Sequence, residues 1–116
     1  MKSTAVVTSL AALAHEHRLA VYRLLVRRGP QGLAAGELST RLDIPPATMS
    51  FHLKELSQAG LVDSHRDGRS IIYAANYAHM NGLMEFLSDN CCAEGGDPDC
   101  CVPAPARSRR AKGEAQ

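Results

Sequence analysis

Apolar positions recur at helical spacing through the first half of this chain, and then the spacing changes. Val6, Leu10 and Leu13 stand at i, i+4 and i+7, which predicts an amphipathic helix over 3–14. His15-Glu16-His17 interrupts the pattern. It resumes over 19–28 with Ala20/Val21 and Leu24/Leu25, and Gly29-Pro30 predicts a stop. A shorter third helix is expected within 32–43, where Leu38 and Leu42 are four apart. Ile44-Pro45-Pro46 reads as a turn. Pro46 suits the first position of a fourth helix, because the amide hydrogen it lacks would be unpaired there anyway. That helix is expected to run to Ala59, with Gly60 as its cap.

Past Gly60 the pattern turns β-like. Residues 61–66 and 69–74 are two short runs joined at Asp67-Gly68, the dipeptide that most favours a tight hairpin. A fifth helix is expected over 76–89, with Met80, Leu83/Met84 and Leu87 on one side. Gly95-Gly96, Asp97-Pro98, Pro103 and Pro105 then predict a tail that stays mobile unless a ligand orders it. The expected organisation is therefore a folded unit over 1–90 and a cysteine-containing tail over 91–116. Helix, turn, helix and hairpin in that order predict an α+β, mostly helical fold, a winged helix–turn–helix.

Composition sharpens this picture in two ways. At 116 residues, 45 % apolar and without Trp, the chain has material for one modest core, and dimerisation is a common way for so short a chain to gain burial. The net charge of +1 conceals an asymmetry. Residues 1–80 carry nine Lys/Arg against six acids, whereas 81–101 carry five acids, no Lys or Arg, and every cysteine. No stretch approaches the length of a membrane-spanning helix, and the start lacks a signal-peptide pattern, so a cytoplasmic protein away from membranes is expected. Cysteines there are expected as thiols, which ranks metal binding or redox sensing above a structural disulfide. No catalytic constellation stands out, and an enzyme is not expected.

The fourth helix carries the first candidate surface. Met49, Leu53, Leu56 and Gly60 form an apolar stripe; opposite it project Ala47, Thr48, Ser50, Phe51, Lys54 and Glu55. An α-helix fits the DNA major groove, where hydroxyls can bond base edges and methyl or ring groups can touch the thymine methyl. Lys54 can meet a phosphate. Arg66 and Arg69, beside the hairpin turn, can clasp backbone or minor groove, and Arg18 is a further candidate phosphate contact. An exposed Phe51 opposite a core stripe argues against an idle solvated helix. His15 and His17 flank a helix start and read as surface or phosphate-facing imidazoles.

The second candidate site is Cys91-Cys92 with Cys100-Cys101. Thiolates select soft ions. Structural zinc sites use Cys-x₂₋₄-Cys spacings, for which adjacent cysteines are poorly suited. They can instead supply two legs of a pyramidal three-sulfur site, the shape favoured by trivalent arsenic and antimony, with one of Cys100/Cys101 as the third. A zinc or cadmium site, a redox switch closing a disulfide, and no role at all remain alternatives.

Ala12-Leu13-Ala14-His15-Glu16-His17-Arg18-Leu19, then Thr48-Met49-Ser50-Phe51-His52-Leu53-Lys54-Glu55-Leu56 with Ala59-Gly60-Leu61-Val62, resembles the ArsR–SmtB family of metal-responsive repressors over about residues 5–90. The resemblance implies homodimers paired through first and last helices, bound to a two-fold double-stranded operator and released on metal binding. It places Ser50 and Phe51 in the major groove, and His52, within the same run, is carried with the DNA-facing residues. Family members often have His or Arg at position 51 and Ser-Gln at 45–46, so the operator preference here is expected to differ. Residues 37–42 lack the Cys-x-Cys of one arsenic-binding branch, and 76–90 offer only one histidine, His79, toward the Asp/His pairs of another branch's zinc site. The resemblance therefore implies sensing at the C-terminal cysteines, with As(III), Sb(III) or a trivalent methylarsenical as inducer and no resident cofactor.

Overall fold

A computed structural model describes residues 1–95. Five helices and a small sheet follow one another as α1 (Ser3–Leu13), α2 (Glu16–Arg28), β1 (Leu33–Ala34), α3 (Ala35–Leu42), α4 (Pro46–Gln58), β2 (Val62–Asp67), β3 (Ser70–Ala75) and α5 (Tyr77–Ser88). The architecture is the winged helix–turn–helix: α3 and α4 form the helical pair, and the β2–β3 hairpin is the wing.

The core explains the order. Val21, Leu25, Leu38, Met49, Leu53, Leu56 and Leu61 are fully buried, so α2, α3, α4 and the start of the wing enclose one apolar centre. Truncating any of these leucines to Ala would cost about 2–5 kcal/mol, since close-packed neighbours collapse only partly into the space left. Two helices end alike. After α3, Asp43 is left-handed (φ 55°) and the Ile44 amide donates to the Ser39 carbonyl at 3.1 Å, with Ile44 itself buried. After α4, Gly60 (φ 84°) takes the same role and the Leu61 amide donates to Leu56. Both are six-to-one C-terminal closures locked by a buried apolar residue. They fix the directions in which the chain enters and leaves the exposed α4.

Several elements differ from expectation. α2 starts at Glu16 rather than at 19, because the His15 ring stands in as its cap: Nδ1 accepts from the His17 amide at 3.1 Å. The third helix, Ala35–Leu42, lies within the expected 32–43, but a short unexpected strand precedes it: Leu33 and Ala34 pair with Tyr73 and Ile72, giving a sheet of order β1-β3-β2. α1 buries Val6 and Ser9, whereas Leu10 is exposed and Val7 is 65 % exposed. On α5, Leu83 is buried but Met84 and Leu87 are 59 % and 60 % exposed. The apolar stripes of the first and last helices thus exceed what this chain's own core consumes. Among the described residues no helix is long and apolar enough to cross a membrane.

Candidate nucleic-acid interface and cysteine pair

Helix α4 buries Met49, Leu53 and Leu56 and leaves Ala47, Thr48, Ser50, Phe51 and Lys54 exposed. Phe51 is 54 % exposed. Pro46 opens the helix, so its first turn presents short side chains without a capping group in the way. Groove reading favours such an edge, with hydroxyls and a methyl at the tip and a ring and an ammonium one turn further on. The wing stands beside it. Asp67 pairs with Ser70 at the end of the β2–β3 ladder, and Gly68 turns the chain with φ 64°. Arg66 is exposed opposite Ile71, and Arg69 lies in the turn itself, also exposed. Both wing arginines therefore sit at the far end of the hairpin, free of ion pairs among the described residues.

Two DNA-facing assignments need revision. His52 is buried, with 3 % of its surface exposed, because the N-terminus of α2 closes over it. Its ring lies 4.7 Å from that of His15 and 5.6 Å from that of His17, centre to centre. Wedged there, it cannot reach a base edge. Burial first, then the nearby His15, Arg18 and His17, hold its pKa below the usual imidazole value. Arg18 is half-buried: Nε donates to the Ala12 carbonyl at 2.7 Å and Nη1 lies 3.5 Å from His52 Nδ1. Its guanidinium first ties α1 and α2 to α4, and only what remains of its fork can meet a phosphate.

The residue run that resembled a known family now sits in the geometry that the family requires. The helix-turn-helix domain family model matches residues 13–65, from the end of α1 into the wing. The transcriptional activator HlyU of Vibrio cholerae is 31 % identical over 85 residues, covering 73 % of this chain and 76 % of that protein. The arsenical resistance operon repressor of Bacillus subtilis is 30 % identical over 92 residues, covering 78 % and 84 %. The chain belongs to the ArsR–SmtB family of transcriptional regulators. Among solved structures of similar proteins is a homodimeric winged helix–turn–helix DNA-binding domain from Mycobacterium bovis, a possible ArsR-family regulator. It is 26 % identical, with a TM-score of 0.60, over 75 % of this chain and 81 % of that one.

In this ArsR–SmtB regulator the cysteine pair follows directly on α5. The Cys91 amide donates to the Ser88 carbonyl at 3.1 Å, and Asn90 and Cys92 are left-handed (φ 59° and 62°), so the chain coils tightly after the helix. That coil brings Cys91 Sγ and Cys92 Sγ to 3.5 Å. The gap is less than twice a metal–thiolate bond of about 2.3 Å, so one soft ion could touch both sulfurs when both are thiolates. Cys91 is exposed and Cys92 half-buried. Contrary to the expectation of thiols throughout, Cys92 is disulfide-bonded in this structure. Cys100 and Cys101 lie outside the described residues. Among the described residues, no group of three or more His, Cys, Asp or Glu side chains is arranged to hold a metal ion.

Three further contacts carry no single-sequence signal. Ser9 Oγ, fully buried on α1, lies 2.8 Å from Nε2 of His79 on α5. The Tyr77 hydroxyl donates to the Val26 carbonyl at 2.9 Å, tying the start of α5 to the end of α2. The His15–His17–His52 cluster joins His52 to two residues 35 and 37 positions earlier in sequence, and only the closing of α2 on α4 brings them together.

Proposed function

We propose that this regulator is a homodimeric repressor of arsenic-resistance genes that binds operator DNA and dissociates when As(III) binds Cys91, Cys92 and one of Cys100 or Cys101. The observation that carries the reading is the 3.5 Å Sγ–Sγ approach of two adjacent cysteines at the end of the last helix. Once Cys92 is reduced, the two sulfurs are close enough to serve as two legs of a pyramidal site, and the sulfur set is too soft for Mg²⁺ or Ca²⁺. Sb(III) has the same shape preference, and a monomethylated arsenical needs only the two sulfurs at 91 and 92.

Dimerisation is supported by Val7, Leu10, Met84 and Leu87, apolar and exposed on the first and last helices, and by the homodimeric relative from Mycobacterium bovis. In a two-fold dimer the two α4 helices read half-sites about 34–36 Å apart, so a small change in subunit spacing spoils the fit at both. α5 is suited to transmit that change. Its C-terminus leads into the cysteines, while His79 near its start touches α1 through Ser9 and packs on Gly60 directly after the reading helix. A few kcal/mol of coupling suffices to shift operator occupancy by tens- to hundreds-fold.

The test is titration of the reduced, operator-bound protein with arsenite, antimonite, methylarsenite, Zn²⁺ and Cd²⁺. Release by the trivalent metalloids at concentrations where Zn²⁺ and Cd²⁺ do nothing is the expected result. The disulfide at Cys92 favours a second reading, a thiol redox regulator of the same fold. That reading gains if oxidation releases DNA and arsenite does not.

A further inference from the structure

Three imidazoles and a guanidinium gather where α2 meets the reading helix. The His15, His17 and His52 rings lie 4.7, 5.6 and 5.7 Å from one another, and Arg18 adjoins His52. Phe51, on the exposed face, has its ring centre 5.9 Å from that of His52, so the cluster rims the surface that faces DNA. His15 and His17 are exposed, while His52 is buried with Nε2 unpaired. The cluster also caps α2, whose N-terminal amides favour an anion. The charged and titratable groups around it are few. α2 contributes Glu16 and Arg18, α4 contributes Lys54 and Glu55, and α1 has no Asp, Glu, Lys, Arg or His between Ser3 and Leu13. Neither acid makes an ion pair with Arg18 among the described residues.

We propose that His15, His17 and Arg18, backed by His52, form a DNA-phosphate clamp whose grip is linked to proton uptake, so that DNA affinity rises as pH falls through the imidazole range. The inference rests on the DNA-binding reading of α4. A guanidinium beside three imidazoles, not ion-paired with Glu16 or Glu55 among the described residues, suits a phosphate, and a metal ion would be repelled by the guanidinium. A phosphate seated against imidazoles stabilises their protonated forms. Protonated His15 no longer accepts from the His17 amide, which turns a backbone donor over to the phosphate. Each proton taken up on binding makes affinity change by about tenfold per pH unit where the imidazoles titrate.

The test uses the full-length reduced protein and a fluorescent mixed-sequence duplex, because a phosphate contact is independent of sequence. Dissociation constants are measured from about pH 6.3 to 8, within the usual imidazole range, at two salt concentrations, with circular dichroism at each pH to confirm folding. The parent should bind about tenfold or more tightly at the acid end, with a steeper salt dependence there by about 0.9 per phosphate gained. His15→Asn/His17→Gln retains a capping side chain on α2 and should bind with a flat pH profile, as should His17→Gln alone in larger part. His65→Gln, altering a wing histidine, should keep the parent's slope. A parent profile without slope, or an equal slope in the double variant, overturns the clamp while leaving DNA binding standing. Failure to bind the duplex at any pH removes both.

Discussion

The fully buried Ser9 hydroxyl of α1 and Nε2 of the half-buried His79 on α5 lie 2.8 Å apart. Ser9 also approaches the Ala5 carbonyl at 2.9 Å, and its one proton can serve only one partner. With that proton given to Ala5, His79 is the donor, carrying its hydrogen on Nε2. The same ring presses on Gly60, where an added Cβ would stand 3.0 Å from its Cε1. His79 therefore joins the first helix, the last helix and the end of the reading helix. His79→Ala is expected to cost about 1–3 kcal/mol of stability, the range for orphaning a buried polar partner. It should also blunt arsenite-induced release while the metalloid still binds. Urea unfolding and operator titrations with and without arsenite check this; an unaltered arsenite response would remove His79 from the transmission route.

On the proposed DNA-binding reading, the exposed residues of α4 and the wing divide into grip and readout. Lys54→Ala and Arg69→Ala should weaken binding to all duplexes and reduce the slope of log affinity against log salt by about 0.9 each. Ser50→Ala and Phe51→Ala should leave that slope and reduce preference for the operator over unrelated duplex. Unchanged affinity and slope in Lys54→Ala would mean that α4 does not lie in the groove.

Two glycines separate backbone need from chance. Gly32 has φ 68°, and a Cβ there would stand 2.3 Å from the Tyr73 carbonyl oxygen, where β1 joins β3. Gly36, near the start of α3, has nothing within 4 Å of its added Cβ. Gly32→Ala should therefore destabilise clearly, and Gly36→Ala should be neutral or stabilise by up to about 1 kcal/mol. Thermal unfolding of the two variants side by side decides this, and an equal effect of both would contradict the close packing at β1.

Much of this architecture was legible in the chain because Pro46, Asp67-Gly68 and the helical spacing of Val21, Leu25, Leu53 and Leu56 each impose one local structure. The departures have physical causes. Leu33-Ala34 is too short to show a strand period, and exists as a strand only because β3 offers it a partner. His15 caps α2 with a ring nitrogen, a role that Ser, Thr, Asp and Asn usually fill, so the sequence carries no ordinary cap signal three residues ahead of Leu19. Periodicity marked Leu10, Met84 and Leu87 as apolar-face residues but cannot tell a chain's own core from surface left to a partner. His52 lies between the exposed Phe51 and the buried Leu53, and only the packing of α2 decides which side it takes.

His52 also sets a pH dependence of stability. Its pKa is lowered in the folded chain, chiefly by burial and then by His15, Arg18 and His17. The unfolded chain thus takes up a proton near the ordinary value of about 6.5, where the folded chain still refuses it. Unfolding then binds protons, so stability is full above that pH and falls as pH drops below it. His52→Gln, neutral throughout, should flatten the acid limb. Urea unfolding at fixed protein concentration from about pH 7.5 to 5.5 checks this, and an acid limb as steep as the parent's would place the titration elsewhere.

The central claim is that Cys91 and Cys92 turn trivalent arsenic into loss of DNA binding. It is tested most directly by fluorescence anisotropy of operator-bound, reduced protein titrated with arsenite, comparing the parent with Cys91→Ser/Cys92→Ser. Neither side chain lies on α4 or the wing, so the variant should bind operator as the parent does. The parent should dissociate as arsenite is added, and the variant should remain bound throughout. Normal arsenite release from the double variant would contradict the account.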